Sequence, residues 1–212
     1  MEFDPDMFVE VLTAAIRAKK PFNVGLREMT EWCSTHLPHD DWKKIQALDT
    51  SEDEEKALQW IPDVLKKCPC PFDIHALYFG LAEMANSKDE EFADLYVGFL
   101  GQYDPSDKEA QWVFGENRHY PEKGSFKVKT LKAAGLIFNC ESGRGLGNEG
   151  NYMFSLSYTL LLVTSLMTPD LYAKIGTQEE RIGILAGWDS GDLMRPGELT
   201  KTGFIANEEE MI

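Results

Sequence analysis

Two runs rich in aromatic and aliphatic residues set the terms for this chain: Ile74-His75-Ala76-Leu77-Tyr78-Phe79-Gly80-Leu81 and Phe92-Ala93-Asp94-Leu95-Tyr96-Val97-Gly98-Phe99-Leu100. The polar connector Ala85-Asn86-Ser87-Lys88-Asp89-Glu90 lies between them. Two such runs across a polar turn predict an antiparallel β-hairpin. A hairpin alone is marginal in water, so helices or further strands must cover its apolar face. A chain of 212 residues is long enough to supply that cover within one core.

Upstream, the pattern is helical. Asp4 can cap a first helix, Pro5 suits its first turn, and Phe8, Leu12, Ala15 and Ile16 form one apolar stripe. Lys19-Lys20-Pro21 ends it, the basic pair complementing the carbonyl end of the dipole. Asn23 is the expected cap of a second helix carrying Leu26, Met29 and Cys33, and His36-Leu37-Pro38-His39 breaks it. Trp42, Ile45 and Leu48 suggest a short third helix. Ser51-Glu52-Asp53-Glu54 has the form of a capping box opening a fourth, which Pro62 should kink or restart. Cys68-Pro69-Cys70-Pro71 closes this helical part.

Downstream, Tyr103-Asp104-Pro105-Ser106-Asp107 reads as a turn and Trp112-Val113-Phe114 as a short apolar piece. Val128, Leu131, Gly135 and Phe138 recur at helical spacing, with Ser125 as the expected cap and a strand over Leu136–Phe138 as the competing reading. A glycine-rich loop, Gly143–Gly150, leads to the uncharged run around Tyr152–Met167. That run is short for a membrane span and diluted by serine and threonine, so a buried core helix is expected. Arg181–Trp188 reads as a strand, Asp189-Ser190-Gly191-Asp192 as a turn and Leu193–Leu199 as a return. The expectation is therefore α+β: N-terminal helices packed on an antiparallel or mixed sheet with one buried C-terminal helix. No linker composition divides the chain, which predicts a single domain with a helical part over 1–71, a sheet-containing part over 72–205 and a frayed acidic tail over 206–212.

Charge narrows the partners. With 36 acidic against 21 basic residues the formal net charge is −15. A field of that sign repels nucleic acid and anionic membrane and steers a basic protein partner inward. The acidic start Met1-Glu2-Phe3-Asp4 lacks the basic region of an export signal, so a cytoplasmic location with reduced cysteines is expected. The basic cluster Arg118, Lys123, Lys127, Lys129 and Lys132 is expected to pair with the acidic helix at Glu52–Glu55.

Chemical signatures are few. Gly145-Leu146-Gly147-Asn148-Glu149-Gly150 matches the dinucleotide glycine pattern in form, but that chemistry needs a strand directly before it, and here the preceding segment reads better as a helix with several residues intervening. His36 and His39 beside Asp40-Asp41 could offer metal donors, yet Pro38 opposes the helix that would align them. His75, at a strand start, reads as structural. No Gly-x-Ser-x-Gly elbow and no Cys/His signature occurs. No catalytic residue, cofactor or metal site is therefore assigned.

Tyr78-Phe79-Gly80-Leu81, Asp94-Leu95-Tyr96-Val97, Tyr103-Asp104, Trp112 and Gly187-Trp188-Asp189-Ser190-Gly191-Asp192 resemble recurring elements of uncharacterised bacterial cytosolic proteins of the toxin-immunity type. The resemblance covers the C-terminal two thirds and carries over no catalytic residues. It implies a non-enzymatic protein that neutralises a basic toxin by occlusion. Two acidic faces are the expected partner-binding residues: Asp40 and Asp41 with Glu52, Asp53, Glu54 and Glu55, and the turn carrying Trp188, Asp189 and Asp192. Two alternatives stay open. One is a small enzyme, either a metal-dependent hydrolase built on Asp189 and Asp192 or a nucleotide binder using the glycine loop. The other is an assembly subunit or adaptor.

Overall fold

The computed structural model describes residues 4–85, 91–107, 110–139, 145–189 and 191–208, with backbone alone at 85, 91 and 92. The connector residues 86–90, Cys140, Gly143, Ser190 and the tail from 209 onward therefore lie outside the described residues.

The expected hairpin is the centre of the sheet. Strand β1 (Ala76–Ala85) pairs antiparallel with β2 (Glu91–Leu100) over its whole length, from Ala76 opposite Leu100 to Ala85 opposite Glu91. Strand β5 (Arg181–Trp188) lies parallel to β1 on its other side, followed by antiparallel β6 (Leu193–Thr200) and β7 (Gly203–Ala206). Two short strands, β3 (Arg118–His119) and β4 (Ser125–Phe126), both add to the free edge of β2. The sheet is mixed and the fold is α+β, with one parallel pair at its middle.

Alternation along the hairpin sorts the side chains. Leu77, Phe79, Leu81, Leu95, Val97 and Phe99 point into the main core, while Ala76, Tyr78, Tyr96 and Leu100 serve the other face. The main core is closed by helices. α1 (Pro5–Arg17) and α2 (Phe22–His36) pack with α5 (Lys129–Phe138) on α6 (Gly147–Leu166), which lies between them and β5. α6 is apolar all round, and Met153, Phe154, Leu156, Tyr158 and the run Leu160–Val163 are buried, as a helix without a polar side requires. Each fully buried leucine of that run contributes about 2 kcal/mol by area removed from water. Among the described residues no helix is long and apolar enough to cross a membrane.

Several local expectations are corrected. α2 begins at Phe22 after Pro21, so Asn23 lies inside the helix rather than at its cap. α3 (Asp41–Gln46) is the short third helix. α4 (Ser51–Lys67) starts after Thr50 without a side-chain cap: the Ser51 amide and hydroxyl donate to Asp49 Oδ1 at 3.0 and 2.7 Å, so the capping box is not made. α4 also runs unbroken through Pro62, and the carbonyl that proline leaves without a donor belongs to Leu58, half exposed to water. Ser125 sits in β4 and caps nothing. The glycine stretch over 147–150 is the first turn of α6, so this helix starts earlier than the apolar run alone indicates. α7 (Pro169–Ile175), capped by the Thr168 hydroxyl, and β7 are elements the sequence reading did not anticipate. β7 also shortens the expected tail. The Asn207 amide donates to the Pro196 carbonyl at 2.9 Å, and the Arg17 guanidinium donates to the Asn207 and Glu208 carbonyls at 2.9 and 2.7 Å.

Candidate functional site

β5 ends at Trp188, and its parallel pairing with β1 carries the following turn to the end of the sheet: the Asp189 amide donates to the Leu81 carbonyl at 3.1 Å. There the second face of the sheet presents Tyr78 from β1 and Tyr96 from β2, with Tyr120 folded over them from the loop between β3 and β4. The three rings pack edge to face, with centroids 5.7 to 6.3 Å apart. Their flat seating depends on glycines opposite them. A Cβ at Gly80 would collide with the Tyr96 ring, and one at Gly98 would lie 2.7 Å from the Tyr120 ring.

Asp189 is the acidic member of this group. Tyr96 donates its hydroxyl to Asp189 Oδ1 in a short hydrogen bond, and the Tyr78 hydroxyl donates to the same oxygen at 3.3 Å. Burial pushes the Tyr78 hydroxyl up to about 12, with the Asp189 charge adding to the rise. Tyr96 is driven up further, by burial first and then by its bond to Asp189. Both phenols are therefore neutral donors at physiological pH. Asp189 and Asp192 are exposed, whereas Trp188 is only 7% exposed and belongs to the core. The arrangement is an exposed carboxylate held by two tyrosine hydroxyls, with Tyr78 buried beneath it and the Tyr96 and Tyr120 rings partly open to solvent.

The other expected face comes apart. Asp53 is 2% exposed and serves the fold: it accepts the Lys129 amide at 3.2 Å, the Thr130 amide at 2.9 Å, the Thr130 hydroxyl at 2.6 Å and the Tyr158 hydroxyl at 3.2 Å. It caps α5 from another helix, the role the sequence reading gave to Ser125. Asp41 is equally buried, accepting the Leu146 amide at 3.2 Å and the Lys44 ammonium at 2.7 Å. Glu52 is exposed but bonded by Lys129, at 2.7 Å, and by Lys56, which together hold its carboxyl down to about 2. That is the pairing expected between the basic cluster and the acidic helix. A groove of about 710 Å³ between α4 and β4 is lined by Glu52, Glu55 and Asp63 but equally by Lys56, Lys67 and Lys123, so it carries no single sign. Asp40 is exposed and paired with Lys43 at 2.8 Å. Glu54 is partly exposed and Glu55 exposed.

The histidines near Asp40 are occupied elsewhere. His36 stacks on Trp32 with centroids 4.0 Å apart, and His39 Nδ1 accepts the Asp41 amide at 3.1 Å. The element before the dinucleotide-like glycines is α5, not a strand. Asp189 and Asp192 belong to no group of three metal donors among the described residues. One such group does occur, formed by Asp73, His75 and Glu179, whose donor atoms all lie within 4.8 Å of one another. The sequence alone barely marks it. The only local signal is the two-residue spacing of Asp73 and His75, and Glu179 arrives from more than a hundred residues away. No family model, curated protein or solved structure matches this chain.

Proposed function

We propose that this chain is a non-enzymatic protein-binding protein of a bacterial cytosol, an immunity protein that occludes a basic toxin. Its recognition surface is the end of the second sheet face around Asp189. The observation that carries this reading is an exposed carboxylate pinned by two tyrosine hydroxyls beside the rings of Tyr96 and Tyr120. A lysine or arginine of the partner would pair with Asp189 and Asp192 and lie against the tyrosine rings, where cation–π attraction adds to the ion pair. The net charge of −15 would speed the encounter and make it dependent on salt. The α3–α4 face supports this less, because Asp41 and Asp53 are buried and Asp40 and Glu52 are already matched by lysines, which leaves Glu54 and Glu55 without an aromatic partner surface like that beside Asp189.

The test is capture from the native lysate at low and at high salt, using the wild-type chain and an Asp189→Asn/Asp192→Asn double variant. The expected result is one basic protein held at low salt, released at high salt and not held by the double variant. Equal capture by both chains, or a partner insensitive to salt, would refute this placement of the surface.

A further inference from the structure

We propose that Asp73, His75 and Glu179 form a binding site for a zinc-like divalent transition-metal ion at the amino ends of the parallel strands β1 and β5. The imidazole is held by the sheet itself. The His75 amide donates to the Leu100 carbonyl at 2.8 Å, and the His75 carbonyl accepts the Gly183 amide at 2.9 Å, so its backbone is locked between β2 and β5. Glu179 is positioned by α7 and the turn that follows: its amide donates to Thr177 Oγ1 at 3.1 Å, and its carbonyl accepts the Tyr172 hydroxyl. Asp73 is placed by the same turn, with the Gln178 amide donating to Oδ2 at 3.3 Å.

The spacing fits a metal. Two donors bound to one tetrahedral ion at its usual bond lengths stand about 3.4 Å apart, and His75 Nε2 lies 3.5 Å from Glu179 Oε1. The third donor lies within 4.8 Å of the other two, so it has to move by no more than about 1.4 Å to close the set, and Asp73 is exposed. Charge fits as well. Among the described residues no lysine or arginine forms an ion pair with Asp73 or Glu179, which leaves two carboxylates facing one imidazole. One nitrogen and two oxygens suit zinc or its neighbours in the first transition row better than calcium, which takes six or more oxygens. Three protein ligands also leave a position for water.

The test is Zn²⁺ alone, titrated calorimetrically into the full chain after chelator treatment. One equivalent is expected to bind, and His75→Ala and Glu179→Gln should each weaken binding by about tenfold or more. Glu179→Gln alters a partly exposed side chain, so it keeps the test decisive if His75→Ala does not fold. X-ray absorption at the zinc edge should report imidazole nitrogen and oxygen without sulfur. No uptake by the wild-type chain, equal uptake by both variants, or sulfur ligation from Cys68 and Cys70 would overturn the assignment.

Discussion

Asp53 and Asp189 are both carboxylates that accept hydroxyls from tyrosines distant in sequence, yet the two regions use the same pair for different ends. At Asp53 two backbone amides, a threonine hydroxyl and the Tyr158 hydroxyl surround a buried carboxylate at the amino end of α5. Its charge is absorbed by the helix end, and burial together with that charge drives the Tyr158 phenol up. At Asp189, among the described residues, tyrosine hydroxyls alone donate to the carboxylate, which is exposed. A carboxylate saturated by amides is part of the fold, whereas one held only by hydroxyls is oriented and still able to accept. Orientation without saturation is what an interaction surface needs.

The largest effect should come from breaking the buried member. Asp53→Ala removes the cap of α5, leaves two amides unpaired and takes the carboxylate from the Thr130 and Tyr158 hydroxyls, so a loss of about 3 kcal/mol is expected in urea unfolding. Gly80→Ala attacks the exposed member from beneath. Its methyl group collides with the Tyr96 ring, costing about 1–3 kcal/mol by overpacking and releasing the Tyr96 hydroxyl from Asp189; the released phenol should ionise at lower pH, read by absorbance at alkaline pH.

Titration sharpens the contrast further. The Tyr78 hydroxyl ionises near 12 in the fold against about 10 in the unfolded chain. The neutral phenol therefore stabilises the fold fully below about pH 10, and that contribution is lost as pH rises through 12. Stability measured across this window should fall, and Asp189→Asn should move the Tyr78 ionisation to lower pH by removing the neighbouring charge. The smallest effects on stability belong to the exposed acids. Asp189→Asn/Asp192→Asn keeps an acceptor oxygen for the tyrosine hydroxyls but removes the charge, so unfolding free energy should fall by about 1 kcal/mol while capture of the partner is abolished, and Asp40→Asn should leave both the melting temperature and capture unchanged. Loss of capture with Asp40→Asn would move the surface back to the α3–α4 side.

Much of the fold is legible along the chain because it is written in local periodicity. The alternation around Tyr78 and Tyr96 gives the hairpin, the stripe Phe8, Leu12 and Ile16 gives α1, and the all-round apolar run over Tyr152–Met167 gives a buried helix. The caps are less legible, because a serine three residues before a glutamate is a capping box only if the chain turns there. At Ser51 the Asp49 carboxylate takes the donors instead. The acidic faces were legible as composition but not as surface. Asp41 and Asp53 look like their exposed neighbours Asp40 and Glu52 in sequence, and only the packing of α5 and α6 against α3 and α4 separates the buried pair from the exposed one.

The sequence by itself determined the class of fold, the central hairpin, the buried helix and the acidic balance of the molecule, since each follows from residue type and spacing over a few turns of chain. Tertiary structure alone decided which carboxylates face water, that Asp53 caps a helix 76 residues away, and that Tyr78, Tyr96 and Asp189 converge. It also brought Glu179 to Asp73 and His75. The parallel pairing of β1 with β5 produces both of the latter meetings, one at each end of the strands, and long-range pairing leaves no periodic trace in the residues that it joins.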